Sequence, residues 1–486
     1  MNYSTDFLRV TILTAAALPV FPVIADAAPK SKPNIIVIYS DDHGWADLGA
    51  QGVNSDIRTP NLDKLAADGV RFSHGYVSAP QCVPSRAGLI TGRYQQRFGV
   101  EANGMGPLPL EELTIAERLR EAGYISCHVG KWHLDGNAKD EGTEGAAAPK
   151  EKKSRQEKLT EKAKNISLPP EQGFEEYYNG PMNSFQASHD LQGNKLTDGN
   201  RTVTDKRFRC VWQADAGMQF IKRHTKDPFF LYLAFFTPHV PLESPEPWFS
   251  KTPASLPLER RQALAMMAAM DEGVGNIRDL LRKEGLEENT LIFFIGDNGA
   301  PLKKGAWDGS LNLPLVGEKG MLTDGGVRTP FIAAWPGTLP AGKVYDPAVV
   351  NLDVAATAIA VAGLPKDKNL DGVNLLPFVN GEKTGVPHDI LYWRWRSQAS
   401  VLSGKYKLIL LGQDEKYLFD TTTPEGETKN LIAQFPKIAA DLEGKLMKWN
   451  ATLPPPGLPR PIVSQDQLFF DTYVKMNGAQ SVKRKK

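Results

Sequence analysis

N-I-I-V-I-Y-S-D-D, residues 34–42, runs a near-continuous apolar segment directly into two carboxylates. A short run rich in Ile and Val suits a strand buried on both faces, the kind found in parallel sheets covered by helices. Three further segments repeat the pattern. Y-I-S-C-H-V-G (124–130) leads into Lys131-Trp132-His133, F-F-L-Y-L-A-F-F (229–236) into Thr237-Pro238-His239, and L-I-F-F-I-G (291–296) into Asp297-Asn298. In open α/β sheets, ligands bind beyond the carboxyl ends of the strands. Four separated segments therefore point at one rim of one sheet, and each brings residues able to hold a metal, an anion or a proton.

The intervening sequence predicts helices. Thr59-Pro60 opens one through Leu65 with Gly69 beyond it. Thr114 with Glu117 is a capping-box pattern ended by Gly123, and residues 259–284 and 351–362 are longer candidates. The fold class expected is α/β, with a mostly parallel (mixed) central sheet flanked by helices. From about Val386 the pattern changes to Y-W-R-W-R-S, S-G-K-Y-K-L-I-L-L and K-Y-L-F-D, which read as antiparallel strands followed by a helix near 436–449. The expected organisation is a signal peptide at 1–28, a main domain at 29–385, a smaller α+β subdomain at 386–453 and a tail at 454–486. The terminal V-K-R-K-K of that tail is expected to be disordered.

Residues 1–28 carry Arg9, an apolar run from Val10 to Ile24 and the small stretch Ala25-Asp26-Ala27-Ala28, which reads as a secretory signal and hence export to the periplasm or the exterior. The 57 basic and 56 acidic residues leave a net charge of +1, which gives no case for nucleic-acid binding. No later stretch is long and apolar enough to span a bilayer. Residues 136–168 are charged and aromatic-free, a solvated insertion or else a basic patch for an anionic polysaccharide. Three cysteines do not make a disulfide scaffold; Cys127 and Cys210 could pair or remain buried thiols. The sequons at Asn165, Asn200 and Asn450 matter only in a glycosylating host.

Residues 82–93, C-V-P-S-R-A-G-L-I-T-G-R, are the most demanding motif. Pro84 and Ser85 suit a first helical turn, and Gly92 is placed to end the helix. Cys82 then lies at a helix N-terminus, where free N–H groups favour an anion, and Arg86 adds a positive charge one turn in.

This stretch resembles the signature of type I, formylglycine-dependent sulfatases of the arylsulfatase and N-acetylgalactosamine-6-sulfatase type. The resemblance implies an alkaline-phosphatase-like architecture and the activity of a sulfuric ester hydrolase. It implies that Cys82 is converted to formylglycine (3-oxoalanine) by a formylglycine-generating enzyme. It further implies one Ca2+ held by Asp41, Asp42, Asp297, Asn298 and the oxygen at position 82. Oxygen donors of this kind suit a hard cation, although Asp41-Asp42 and Asp297-Asn298-Gly299 are also turn formers after strands.

In the same resemblance, G-K-W-H-L (130–134), T-P-H-V-P (237–241) and E-K-G-M-L-T-D-G-G-V-R (318–328) match segments that carry Lys131, His133, His239 and Lys319. The mechanism that the resemblance implies has one hydroxyl of the hydrated formylglycine, acidified and oriented by Ca2+ and Arg86, attack sulfur while Asp297 accepts its proton. Lys131 and Lys319 hold the sulfuryl oxygens, while His239, helped by Lys319, protonates the leaving alcohol. The second hydroxyl, assisted by His133, expels sulfate from the resulting sulfo-enzyme.

The substrate expected is a sulfated carbohydrate, with Trp307, Trp393, Trp395, Arg394 and Arg396 as possible sugar-facing groups, although the aromatics could equally be core. Strand alternation puts the two Trp at 393 and 395 on the face opposite Arg394 and Arg396. His43 is a substrate contact or a polar rim residue. The competing readings are a formylglycine-dependent phosphonate monoester hydrolase or phosphodiesterase, and an inactive, exported sulfatase-like carbohydrate-binding protein.

Overall fold

The computed structural model describes Met1 and residues 32–136, 167–197, 201–302, 307–423, 426–455, 457–458, 460–476 and 482–483. The signal expected at 1–28, most of the insertion expected at 136–168 and the sequons at Asn165 and Asn200 lie outside them. The described residues from Lys32 onward form one compact unit.

Its strands in chain order are β1 (Asn34–Asp41), β2 (Val70–Phe72), β3 (Gly75–Tyr76), β4 (Ile125–Gly130), β5 (Glu176–Asn179) and β6 (Ser184–Ala187). They continue with β7 (Thr202–Thr204), β8 (Phe229–Pro238), β9 (Thr290–Gly296), β10 (Phe331–Ala334), β11 (Lys343–Tyr345) and β12 (Val349–Val350). The C-terminal set is β13 (Leu391–Trp395), β14 (Gln398–Ser403), β15 (Tyr406–Leu411), β16 (Glu415–Asp420) and β17 (Val482–Lys483).

Ten of these form one sheet in the order β11-β2-β10-β9-β1-β8-β4-β5-β6-β7. The run β9-β1-β8-β4-β5 is parallel throughout, and β10, β6 and β7 add antiparallel pairings. The apolar runs are continuous because both faces of the sheet are covered. Ile35, Val37 and Tyr39 of β1 join one buried cluster, while Ile36 and Ile38 join the other. The helices Arg209–Arg223 and Leu258–Lys283 pack over the second cluster; Cys82–Thr91 and Ile115–Arg120 contribute to the first. Burying this much apolar surface at ~25 cal/mol per Å² supplies the driving force that holds the rim residues in place.

The four runs end side by side as expected. Ser40 is in register with Gly296, Asp41 with Pro238 and Gly130 with Ala234. Between Tyr39 and Asp41 the β1–β8 register slips, because β8 carries extra residues there. A bulge of this kind re-aims the chain at a strand end, here just before His239.

The C-terminal strands form an antiparallel sheet in the order β13-β14-β15-β16-β17, with the helix Pro436–Asn450 packed on it. Two expectations are revised here. Trp393, Trp395 and Arg394 are buried and do not face solvent: Trp393 donates to Val77 O at 2.7 Å, and Arg394 Nε donates to Glu101 at 3.1 Å. Arg396 is tied to Gln465 at 2.9 Å, and Trp307 Nε1 to Ser310 O at 2.9 Å. The tail is not a loose end either. The helix Ser464–Phe469 and the π-helix Phe470–Lys475 bury Phe469, Phe470 and Val474 against Ile409, Tyr417 and Phe419. Within V-K-R-K-K, the first two residues pair with β16, and the last three lie outside the described residues.

Cys127 and Cys210 are free and buried. Asn450 is buried and its Oδ1 accepts from Arg394 at 2.8 Å, so this sequon presents no open amide.

Candidate active site

Cys82 is the first residue of the helix Cys82–Thr91, preceded by Gln81 in extended conformation and ended by left-handed Gly92 (φ 70°). The helix is pinned to the sheet from beneath. Tyr39 Oη lies 2.7 Å from Ser85 Oγ, and Asn351 Nδ2 donates to Tyr39 Oη at 3.1 Å and to Ser85 O at 3.0 Å. Every residue of this helix is buried.

The ends of β1, β9, β4 and β8 close around it. Cys82 Sγ is 3.3 Å from Asp41 Oδ1 and 3.8 Å from Asp42 Oδ1. Asp297 Oδ1 accepts from the Asp42 amide at 3.0 Å, and Asn298 Nδ2 donates to Asp42 Oδ1 at 2.6 Å. Asp42 takes up φ 58° and His133 φ 63°, left-handed values for non-glycine residues. Local backbone strain of about 1 kcal/mol or more per residue is typical where function requires an awkward geometry.

Carboxylate oxygens of Asp41, Asp42 and Asp297, with Cys82 Sγ, all lie within 4.8 Å of one another, and all four residues are buried. Asn298 Oδ1 is buried and has no hydrogen-bond partner among the described residues. Burial, then the neighbouring Asp41, pushes the Asp297 carboxyl up to about 8. Three crowded carboxyls and an orphaned amide oxygen suit a hard cation, which would relieve the like-charge repulsion and use the spare lone pairs. The residues present fit a metal ion.

Cations converge from the other side. Lys131 Nζ lies 2.6 Å from Asp41 Oδ2; Lys319 Nζ lies 2.8 Å from Asp42 Oδ2 and 3.4 Å from Cys82 Sγ. Burial works against both ammonium groups, but the surrounding groups, led by Asp41 for Lys131 and Asp42 for Lys319, together raise their pKa values and keep them charged. Arg86, wholly buried, donates to Asp297 Oδ2 at 2.8 Å and to Lys131 O at 3.0 Å. Burial and then Asp297 push the Cys82 thiol well above its usual range, so the unmodified residue is a protonated thiol and a poor nucleophile.

His239 Nε2 is 3.7 Å from Asp42 Oδ2, and its ring stacks on Phe236 at 4.7 Å. Burial and then Lys131 lower its pKa, so this approach is a contact of a neutral ring and not an ion pair. His133, half-buried, is lowered by the same two causes, and its Nδ1 is buried without a hydrogen-bond partner among the described residues. All ten residues singled out in the sequence thus meet at one rim.

The structure adds residues that carry no sequence signal. Phe236 lies 4.8 Å beneath Lys131 Nζ, and Arg209 donates to His239 O at 2.8 Å while pairing with Glu243. Their roles depend on strand and helix positions far apart in the chain. His43 is neither a substrate contact nor a rim residue: it is buried between Ser40 Oγ (3.0 Å) and Asp47 O (2.7 Å).

The sulfatase family model matches residues 33–364. The chain belongs to the sulfatase family. A second model, the C-terminal region of N-sulphoglucosamine sulphohydrolase, matches residues 317–452 of this sulfatase. N-acetylgalactosamine-6-sulfatase of Canis lupus familiaris is 31% identical over 436 residues, covering 83% of this chain and 75% of that protein. Arylsulfatase A of Bos taurus is 32% identical over 463 residues, covering 86% and 83%. The solved structure of Ps i-CgsB in complex with k-i-k-neocarrahexaose superposes with a TM-score of 0.73 at 28% identity, covering 91% of this chain and 97% of that one. The protein is a sulfuric ester hydrolase with the alkaline-phosphatase-like fold expected, and the family implies a formylglycine and a metal ion. Among the described residues, no helix is long and apolar enough to cross a membrane.

Proposed function

We propose that this sulfatase hydrolyses the sulfate ester of a sulfated carbohydrate after export, with residue 82 matured to formylglycine by a formylglycine-generating enzyme. One Ca2+ would be held by Asp41, Asp42, Asp297, Asn298 and the residue-82 oxygen. When present, these groups supply a nucleophilic hydroxyl and the positive charge that acidifies it.

The chain's own side chains do the rest. Arg86 fixes Asp297 through its 2.8 Å bond, and Asp297 accepts the nucleophile's proton. Lys131 and Lys319, each already facing the sulfur atom of Cys82 or the carboxylates beside it, hold the sulfuryl oxygens as charge builds on them. His239 Nε2 delivers a proton to the leaving alcohol, helped by Lys319; the bound sulfate's negative charge favours the imidazolium that this requires. His133 assists loss of the second proton through a ring whose Nδ1 has no hydrogen-bond partner among the described residues.

The carbohydrate reading is supported by the named activity of the mammalian relatives and by the oligosaccharide bound to Ps i-CgsB. It is also supported by a cavity of about 440 Å³ lined by Phe208, Glu243 and Trp248, among others. Glu243 pairs with Arg209, which donates to the His239 carbonyl, so one buried guanidinium links the cavity wall to the His239 backbone.

The observation that carries the proposal is Cys82 at a helix start within 3.3 Å of Asp41 and 3.4 Å of Lys319. Mass spectrometry of the peptide spanning residue 82, from protein made with its maturation enzyme, tests the first half. An assay of sulfate release from defined sulfated saccharides against bis-aryl phosphate and aryl phosphonate tests the second. An unmodified thiol in active protein, or faster phosphonate than sulfate turnover, would overturn it.

A further inference from the structure

Lys319 stands on a loop, and its ammonium has to be delivered between Asp42 and Cys82 by a side chain with four rotatable bonds. Its precision therefore depends on how well the backbone is held. The Lys319 amide donates to Ala300 O at 3.2 Å, and the Gly320 amide to Pro80 O at 2.9 Å. The remaining anchors come from a distant part of the chain. Gln398, wholly buried at the start of β14, donates from Nε2 to Gly320 O at 2.9 Å and accepts the Leu322 amide on Oε1 at 2.8 Å. Both ends of one primary amide thus clamp the two peptides on either side of Met321, two residues beyond the lysine.

The neighbouring contacts reinforce that clamp. Gly320 has φ 88°, and a Cβ there would come within 3.3 Å of the Trp395 and Phe469 rings. Trp395 Nε1 also donates to Gln81 Oε1 at 3.2 Å, immediately before Cys82. One edge of the C-terminal sheet therefore touches both the lysine loop and the start of the nucleophile helix.

We propose that Gln398 is a positioning residue for Lys319, which makes the C-terminal sheet part of the catalytic apparatus. The proposal rests on the reading that Lys319 acts on the sulfuryl group. Replacing the amide by an apolar side chain of the same length frees two backbone groups of the loop and lets the ammonium drift. A misplacement of about 1 Å costs on the order of 10–100-fold in rate.

The test is a double-mutant cycle on the matured enzyme with nitrophenyl sulfate, with thermal midpoints recorded in parallel. Gln398→Met is expected to lower kcat/KM roughly 10- to 100-fold, chiefly through kcat. In the Lys319→Ala background it is expected to add almost nothing, because the group it positions is gone. A merely structural role predicts instead a rate loss that multiplies equally in both backgrounds, whatever happens to the thermal midpoint. Full or nearly full activity of Gln398→Met, or multiplicative losses in the double variant, would overturn the proposal. If Lys319→Ala alone leaves kcat/KM unchanged, the role of Lys319 fails and the proposal fails with it, a result distinct from the first two. Should Gln398→Met not fold, Gln398→Glu serves in the same cycle. It keeps the acceptor for Leu322 but faces Gly320 O with an oxygen, and the same non-additivity is expected.

Discussion

Lys319 Nζ lies 3.4 Å from Cys82 Sγ although 237 positions separate the two residues in sequence. A cation at that distance from the reacting residue, with Asp41 on the other side at 3.3 Å, holds position 82 between opposite charges. The consequences can be measured one residue at a time.

Cys82→Ala is expected to abolish turnover while leaving the fold intact, since the side chain makes no strong bond that its neighbours need. Cys82→Ser is expected to give at most a single turnover. A serine hydroxyl can accept the sulfuryl group but has no second hydroxyl with which to release it. Sustained multiple turnover by the serine variant would exclude the elimination step.

Chelation is expected to inactivate the enzyme and added Ca2+ to restore it. Asp297→Asn should cut activity through the loss of metal charge and proton acceptor together. It also removes the carboxylate 2.8 Å from buried Arg86, leaving Asp41 at 3.5 Å as its nearest acidic partner. Breaking a buried pair costs about 3–5 kcal/mol, so the thermal midpoint should fall as well. Full activity in a metal-free sample would remove the metal assignment.

His239→Ala is expected to damage hydrolysis of a sulfated sugar far more than hydrolysis of nitrophenyl sulfate, because only the sugar alkoxide needs a proton to leave. Arg86→Lys, which loses the two-point hold on Asp297 and Lys131 O, should damage both substrates alike. Comparison of kcat/KM for the two substrates decides it; equal losses for His239→Ala would make His239 an anion-binding group.

If the cavity beside Glu243 takes sugar units beyond the sulfated one, Trp248→Ala is expected to raise KM for a sulfated oligosaccharide several-fold and leave nitrophenyl sulfate, which is too short to extend there, unaffected. Identical kinetics on the oligosaccharide would show that the cavity takes no sugar.

His388 Nε2 lies 2.8 Å from Asp353 Oδ1, which also accepts the Val373 amide at 2.8 Å. Burial lowers the His388 pKa, but Asp353 outweighs it and holds it above the usual histidine value. The folded value exceeds the unfolded one of about 6.5. The stabilisation is therefore complete below that pH and disappears as pH rises through the folded value. His388→Gln should cost about 1–2 kcal/mol at pH 5.5 and clearly less at pH 9, measured by denaturant unfolding. A pH-independent cost would show that the imidazole acts only through packing.

What the sequence determined by itself was local or periodic. The strands β1, β4, β8 and β9 announced themselves because burial on both faces leaves no polar alternation. Their ends named Asp41, Asp42, Lys131, His133, His239, Asp297 and Asn298 because carboxyl ends of parallel strands share a rim. The helix at Cys82 was legible from Pro84 and Gly92, and the capping box at Thr114 and Glu117 forms as written. Only the tertiary structure decided the rest. Periodicity put Trp393 and Trp395 on one face but could not say what covers that face; packing against Val77 and Gln81 buries both rings. His43 follows the carboxylates of Asp41 and Asp42 in sequence, yet the chain turns it inward to Ser40 and Asp47. Gln398 looked like any strand residue, and its amide acquires meaning only where β14 passes the Lys319 loop. Hydrophobic pattern and turn chemistry are encoded over a few residues, whereas a contact across tens or hundreds of residues depends on which faces the whole chain can bury together.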